Sequence, residues 1–193
     1  MKIVSKQDAI DELKRGKIGI FPTDTTFGVG CRIDDEGALK RLFKIRRRPQ
    51  EKAVLALIDS IVMAEKYLEP FPDEIRNLMN MYWPGGLTIV LSCKEEKVPP
   101  LVRGGGKTIG MRLPDHELMQ SIIQEVGVPI VAPSANFAGG RTPFTLAEID
   151  SEFIKLVDFV LEGECTLKKP STVVDCSQKP WRIIREGAVR ITL

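Results

Sequence analysis

The sequence has a single histidine, His116, and four cysteines (Cys31, Cys93, Cys165 and Cys176) too scattered to form a Cys-x-x-Cys pair. Metal-ligand spacing is therefore missing, and no protein-held metal is expected. The longest apolar runs, such as Val54 to Ile58, fall far short of the ~20 residues that a membrane span needs. No uninterrupted apolar stretch follows Met1-Lys2-Ile3-Val4-Ser5-Lys6, so no targeting segment is expected. A cytoplasmic location with reduced thiols is the natural expectation. Net charge is only +2, so no global field points to a nucleic-acid coat or a membrane surface, and any basic site must be local. Aromatics make up 6% and do not alternate with basic residues, which gives an RNA-binding surface little support.

What is present is an ordinary globular composition, 43% hydrophobic and 28% charged over 193 residues, enough for one domain over 1–193 with a sizeable core. Helix and strand signals interleave along it. Ser5 and Asp8 read as a helix start, followed by Ala9, Ile10 and Leu13 at helical spacing, and Gly16 stops that helix. Ile18 to Phe21 reads as a buried strand, and Ala38 to Ile45 as an amphipathic helix running into Arg46-Arg47-Arg48-Pro49. Further strands are expected at Ala53 to Ile58, Leu87 to Ser92, Thr108 to Leu113 and Pro129 to Ala132. Helices are expected at Ile61 to Leu68, Asp73 to Met81 and Glu117 to Val126, the last closed by Gly127. A strand at Phe159 to Leu161, a hairpin of Thr172 to Asp175 with Trp181 to Arg185, and a last strand at Ala188 to Thr192 complete the pattern. Such alternation predicts an α/β fold, a twisted mixed β-sheet flanked by helices.

Two strand exits are rich in polar groups. Pro22-Thr23-Asp24-Thr25 and Pro133-Ser134-Ala135-Asn136 lie where α/β proteins collect ligands, although Thr and Asp also serve as plain turn formers. Arg46 to Lys52 brings four cations within seven residues at a helix end. The macrodipole favours cations there without any ligand, and guanidinium forks there also suit phosphate. Gly104-Gly105-Gly106-Lys107-Thr108 lacks the first glycine of a P-loop, since position 101 is leucine. No Gly-x-Ser-x-Gly elbow is present, and His116 has no triad context, which leaves it a surface or helix-capping residue.

Taken together and in order, these segments resemble the YrdC-like family of threonylcarbamoyl-AMP synthases, in its short single-domain form. The matching stretches are Phe21 to Thr25 with Gly28 and Gly30, Arg46-x-Arg48-Pro49, Trp83-Pro84-Gly85, and Gly110 to Pro114. Val128 to Asn136, and Ser171 to Asp175 before Arg185-x-Gly187, complete the set. The resemblance implies a YrdC-like fold with a concave basic cavity. It implies that L-threonine, bicarbonate and ATP, with Mg2+ carried on the ATP, give threonylcarbamoyl-AMP and pyrophosphate. A downstream transferase complex would then modify tRNA, and weak tRNA binding by the chain itself fits the same picture.

By position, the resemblance assigns Thr25, Leu57, Arg112, Ala132 and Ser171 to threonine, with the Arg112 fork on its carboxylate. It assigns Arg48, Lys52, Thr108, Ser134, Thr142 and Arg185 to ATP, and Arg46, Arg48, Ser134 and Asn136 to the chemistry. Three departures stand out. Arg46 occupies the usual lysine position if Pro49 sets the register, with Lys44-x-Arg46 as the other alignment. Thr26-Phe27 replaces Val-Tyr, and Leu57 replaces a frequent histidine. The last two leave room for a paralogue that makes a different carbamoyl-adenylate, and the basic cluster for a non-catalytic RNA-binding or ribosome-maturation factor.

Overall fold

The computed structural model describes residues 2–192. Its helices start where the sequence supplies caps. Ser5 accepts the Asp8 amide to open α1 (Lys6–Lys14), and Asp35 accepts the Ala38 amide to open α2 (Glu36–Arg46). Apolar residues at helical spacing then turn one face inward: Ala9, Ile10 and Leu13 of α1, and Leu39, Leu42 and Phe43 of α2, are buried. Short helices α3 (Ile61–Glu65) and α4 (Asp73–Tyr82) follow, then α5 (Glu117–Val126) and α6 (Ser151–Ile154), with a 3-10 turn at Leu146–Glu148.

The strands are β1 (Gly19–Phe21), β2 (Gly28–Arg32), β3 (Ala56–Leu57), β4 (Leu87–Ser92) and β5 (Thr108–Arg112). They continue with β6 (Ile130–Val131), β7 (Phe159–Val160), β8 (Thr172–Asp175) and β9 (Arg182–Arg185). All belong to one sheet in the order β7-β1-β2-β6-β3-β5-β4-β8-β9. The pairs β1–β7, β3–β5 and β4–β8 are parallel and the rest antiparallel, so the sheet is mixed. Helices α1 and α5 pack together, and α2 lies against β2. Strands β1, β3, β6 and β7 are buried at every position, whereas β4, β5 and β8 include partly exposed residues on the face that opens to the cavity. Fully burying each Leu, Ile or Phe contributes about 1.5–3 kcal/mol.

Tertiary contacts decide two segments that the sequence did not place correctly. The sequence assigned no strand to Gly28 to Arg32, which forms β2. Its glycines permit close approach, since a β carbon on Gly30 would lie 1.9 Å from the Val131 carbonyl oxygen of neighbouring β6. Conversely, Ala188 to Thr192 joins no strand ladder. The Ala188 amide is taken by the Pro170 carbonyl and the Val189 amide by the Thr172 hydroxyl, so the first two amides of the segment are spent outside any strand ladder.

His116 is the N-cap of α5: its Nδ1 accepts the Met119 amide at 3.3 Å. An accepting Nδ1 must be unprotonated. Burial holds this imidazole below its ordinary 6.5, against the opposing pull of Asp24. The native state therefore binds the proton less readily than the unfolded chain. This contribution to stability is intact above pH 6.5 and is lost as pH falls from there through the lower native value. Urea unfolding at a series of pH values should show the midpoint falling across that window, and His116→Asn, which keeps a cap oxygen, should flatten this part of the dependence.

Candidate active site

A cavity of about 420 Å³ opens on the face of the sheet formed by β4, β5 and β8. Loops that follow β1 and β6, together with the chain leaving α2, build its remaining walls. The two polar strand exits are stitched to each other. Gly28 and Ser134 form an antiparallel bridge, the Val29 amide donates to Pro133 O at 2.9 Å, and the Ala135 amide donates to Phe27 O at 2.9 Å.

At one end Arg112 reaches from β5 into the Thr23–Thr25 turn. It is buried, forms an ion pair with buried Asp24, and donates through Nη2 to the Thr23 hydroxyl at 3.2 Å. Thr23 and Thr25 share a hydroxyl–hydroxyl bond of 3.0 Å. Nearby, Thr88 bonds the Ser171 hydroxyl at 2.8 Å. Arg185 clamps Ser171 twice, Nε on its carbonyl and Nη2 on its hydroxyl, both at 2.9 Å.

At the other end α2 terminates on Arg47, held in a left-handed conformation at φ 52° with its guanidinium 4.3 Å above the Phe137 ring. That turn sends Arg46 and Arg48 to the cavity. Arg46 donates Nη2 to Asn136 Oδ1 at 3.0 Å and Nε to Asn136 O at 3.2 Å, while Ser134 Oγ donates to the same Oδ1 at 2.7 Å. Asn136 Nδ2 in turn donates to Gly140 O at 2.6 Å. Arg48 donates to the carbonyls of Lys52 and Ala53. Burial and the neighbouring Arg48 charge pull the Arg46 guanidinium down to about 10. Burial lowers Arg48 too, and lowers Arg185 with help from Arg112. Four guanidiniums and a single carboxylate, Asp175, line this space, so it favours an anion.

Among the described residues, the buried side-chain polar atoms without a partner are Asp24 Oδ2, Arg46 Nη1 and Arg112 Nε. All three belong to the walls of this cavity or to the ion pair behind them. Leaving such groups bare costs about 1–3 kcal/mol each, a cost that a bound ligand can remove. By contrast, the four cysteines are buried, and burial first of all pushes Cys31 and Cys176 up to about 12, so no thiolate nucleophile is at hand.

Of the residues expected from sequence, Thr25, Arg46, Arg48, Thr108 and Arg112 line the cavity, as do Ala132, Ser134, Thr142, Ser171 and Arg185. Three stand apart. Leu57 is wholly buried in the core, and Leu55 lines the cavity instead. Lys52 is exposed and meets the site through its carbonyl, which accepts from Arg48. Asn136 does not line the cavity but holds Arg46 and Ser134 from behind. Phe27 is also wholly buried, so of the departures at 26 and 27 only Thr26 reaches the cavity. Sequence reasoning passed over Thr88, whose polar side chain inside the apolar strand Leu87 to Leu91 was the available signal, and Asp175 as a cavity residue.

Fold and cavity together define an α/β protein whose sheet face carries an arginine-lined cleft. The chain belongs to the Sua5/YciO/YrdC family, whose model, described as telomere recombination, matches residues 11–187. It is 34% identical over 178 residues to the threonylcarbamoyl-AMP synthase of Pyrococcus abyssi (strain GE5 / Orsay), covering 92% of this chain and 52% of that protein. It is 35% identical over 182 residues to a putative threonylcarbamoyl-AMP synthase of Methanocaldococcus jannaschii, covering 93% of this chain and 84% of the relative. The crystal structure of P. abyssi Sua5 complexed with L-threonine superposes with a TM-score of 0.90 at 33% identity, over 94% of this chain and 54% of that one. The chain thus spans about half the length of the Pyrococcus relative. Among the described residues no helix is long and apolar enough to cross a membrane.

Proposed function

We propose that the chain is a threonylcarbamoyl-AMP synthase, a nucleotidyltransferase that joins L-threonine, bicarbonate and ATP and releases pyrophosphate. The observation that carries this reading is one continuous cavity lined at both ends by guanidiniums and hydroxyls. Thr25, Arg112 and Ser171 form an end suited to a small amino acid, and Arg46, Arg48 and Ser134 an end suited to phosphate. Relatives named for this activity, and a related structure holding L-threonine, support the assignment.

The chemistry asks for no protein nucleophile. The threonine amine and bicarbonate give a carbamate with loss of water. A carbamate oxygen then attacks the α-phosphorus, the bond from that phosphorus to the β-phosphate bridging oxygen breaks, and pyrophosphate leaves with the electron pair. What the protein supplies is alignment and positive charge. Arg112, anchored by Asp24, lines the cavity for a carboxylate, Arg46 lines it for a phosphate, and each has one buried nitrogen, Nε and Nη1, without a partner. Magnesium would arrive with ATP, held by phosphate oxygens and water, since no three metal-ligating side chains converge among the described residues.

On this reading the product is a mixed anhydride that a downstream tRNA threonylcarbamoyl transferase consumes in the cytoplasm. Residues 1–193 are read as one YrdC-like domain, and weak tRNA contact falls to exposed Lys44 and Arg47. Pyrophosphate release should depend on threonine as well as on ATP, magnesium and bicarbonate. A panel of amino acids run in the same assay tests the alternative of a different carbamoyl-adenylate. Release that ignores threonine and follows another amino acid would replace the substrate assigned here. Tight RNA binding without any ATP affinity would replace the reaction altogether.

A further inference from the structure

The four guanidiniums of the cavity are aimed by different means. Arg112 is held by the Asp24 carboxylate, Arg46 by Asn136 and Arg185 by Ser171. Arg48 has no such side-chain partner among the described residues. Its guanidinium donates to main chain alone, Nε to Lys52 O at 3.1 Å and Nη2 to Ala53 O at 2.6 Å. The direction of Arg48 therefore depends on the path of residues 51–53, which belong to no helix or strand.

That path is braced by the glycine run that falls short of a P-loop. The Val54 amide donates to Val102 O at 2.9 Å, which ties the two segments together. Two residues further on, Gly104 takes φ 58°, and a β carbon there would lie 2.6 Å from Glu51 O and 2.7 Å from the Ala53 amide nitrogen. Both are backbone atoms, so no side chain can swing aside, and such close approach requires glycine. The loop that presses here is itself stapled. Arg103, its side chain 10% exposed, donates Nε to Val98 O at 3.0 Å, donates Nη1 to Gly106 O, and pairs with Glu95 at 3.0 Å. The Gly105 amide donates to Pro100 O at 2.9 Å. The backbone braced by this loop carries the two carbonyls that hold Arg48.

We propose that Gly104 is a positioning residue for the phosphate end of the site: by letting its loop seat against Glu51 to Ala53, it fixes the two carbonyls that aim Arg48 at the ligand. The inference rests on the nucleotide reading above. A side chain at position 104 pushes residues 51–53 aside and turns the carbonyls of Lys52 and Ala53. The Arg48 charge then stays near the cavity but points away from the phosphate. Thr25, Arg112 and Ser171 sit on other segments, so the threonine end keeps its geometry.

Calorimetric titration of the whole chain with ATP, inorganic tripolyphosphate and L-threonine, each alone, tests this. Gly104→Ala should weaken tripolyphosphate about tenfold, the scale of one lost charge-assisted hydrogen bond, and leave threonine affinity at the wild-type value. Gly105→Ala is the matched control: it carries similar left-handed strain at φ 77°, yet its β carbon would meet nothing within 4 Å. It should bind every ligand as wild type does. In an Arg48→Gln background Gly104→Ala should cost nothing further, since a residue that acts through another loses its effect with it. Steady-state pyrophosphate release should show KM for ATP up about tenfold in Gly104→Ala, with KM for threonine unchanged. Equal losses in Gly104→Ala and Gly105→Ala, or a loss that persists undiminished over Arg48→Gln, overturns the positioning role. Should Gly104→Ala not fold, Arg103→Gln decides, because it loosens the same loop without adding an atom to the contact. A loss selective for tripolyphosphate supports the role, and wild-type affinity overturns it. A wild type that binds neither ATP nor tripolyphosphate overturns the nucleotide reading itself, whereas one that binds them and fails the variant comparisons overturns this inference alone.

Discussion

Asp24→Asn lowers the stability of the fold by about 3–5 kcal/mol, the scale set by removing one partner of a buried ion pair. The side chains of Asp24 and Arg112 are 1% and 4% exposed, so neither can recover its partner from water. Asparagine fills the same space and can still accept from Nη1, but it leaves the guanidinium charge buried without a counter-charge. For a chain of this size the loss is a fall of about 6–20 °C in melting temperature. Calorimetry or urea unfolding reads it directly. The expected weakening of threonine binding follows, because Arg112 loses the anchor that aims it. A melting temperature within a degree or two of wild type would mean that the pair is hydrated and that the end of the cavity it supports is more open than described.

Arg46→Gln is the second large effect, and it falls on the reaction. Arg46 spends two donors on Asn136 and keeps Nη1 bare and buried at the cavity wall. Loss of a charge-assisted bond to phosphate costs about 1.5–3 kcal/mol, or about 10- to 150-fold in ATP affinity. If the same donor meets charge that develops on the phosphoryl oxygens, kcat falls by about 10²–10³. Arg46→Lys restores the charge but cannot bridge both oxygens of Asn136 while still pointing at the ligand, so it should recover part of the loss. Steady-state pyrophosphate release gives kcat and KM for both variants. Wild-type rates in Arg46→Gln would move the phosphate contact to Arg48 alone.

The sequence made the helices and most strands legible because their signals are local. The Ser5 cap, the apolar spacing of α1 and α2, and the Gly127 stop of α5 each act within a few residues. Strand β2 was not legible, since Gly28-Val29-Gly30 reads as a loop until a neighbouring backbone is known to press against Gly30. Within the site, residue types were readable but partnerships were not. Asp24 could be placed in the first polar turn, yet its pairing with Arg112 crosses 88 positions. Leu57 illustrates the opposite error: its position in a motif suggested ligand contact, while the core buries it completely. Asn136 was expected beside the ligand and instead lies behind the cavity wall, bonded to Arg46 and Ser134, which line it.

The same long spans bear on how the protein acquires its activity. The ion pair of Asp24 with Arg112, the bond of Arg46 with Asn136, and the parallel pairing of β4 with β8 all join distant parts of the chain. Closing such loops must be paid in entropy before any contact repays it, so sheets of this kind form slowly. Ser171, Asp175 and Arg185 reach the cavity only once β8 and β9 have paired at the far edge of the sheet. Recovery of nucleotide binding during refolding should therefore lag behind recovery of helix, and ligand affinity becomes a measure of the last contacts to form.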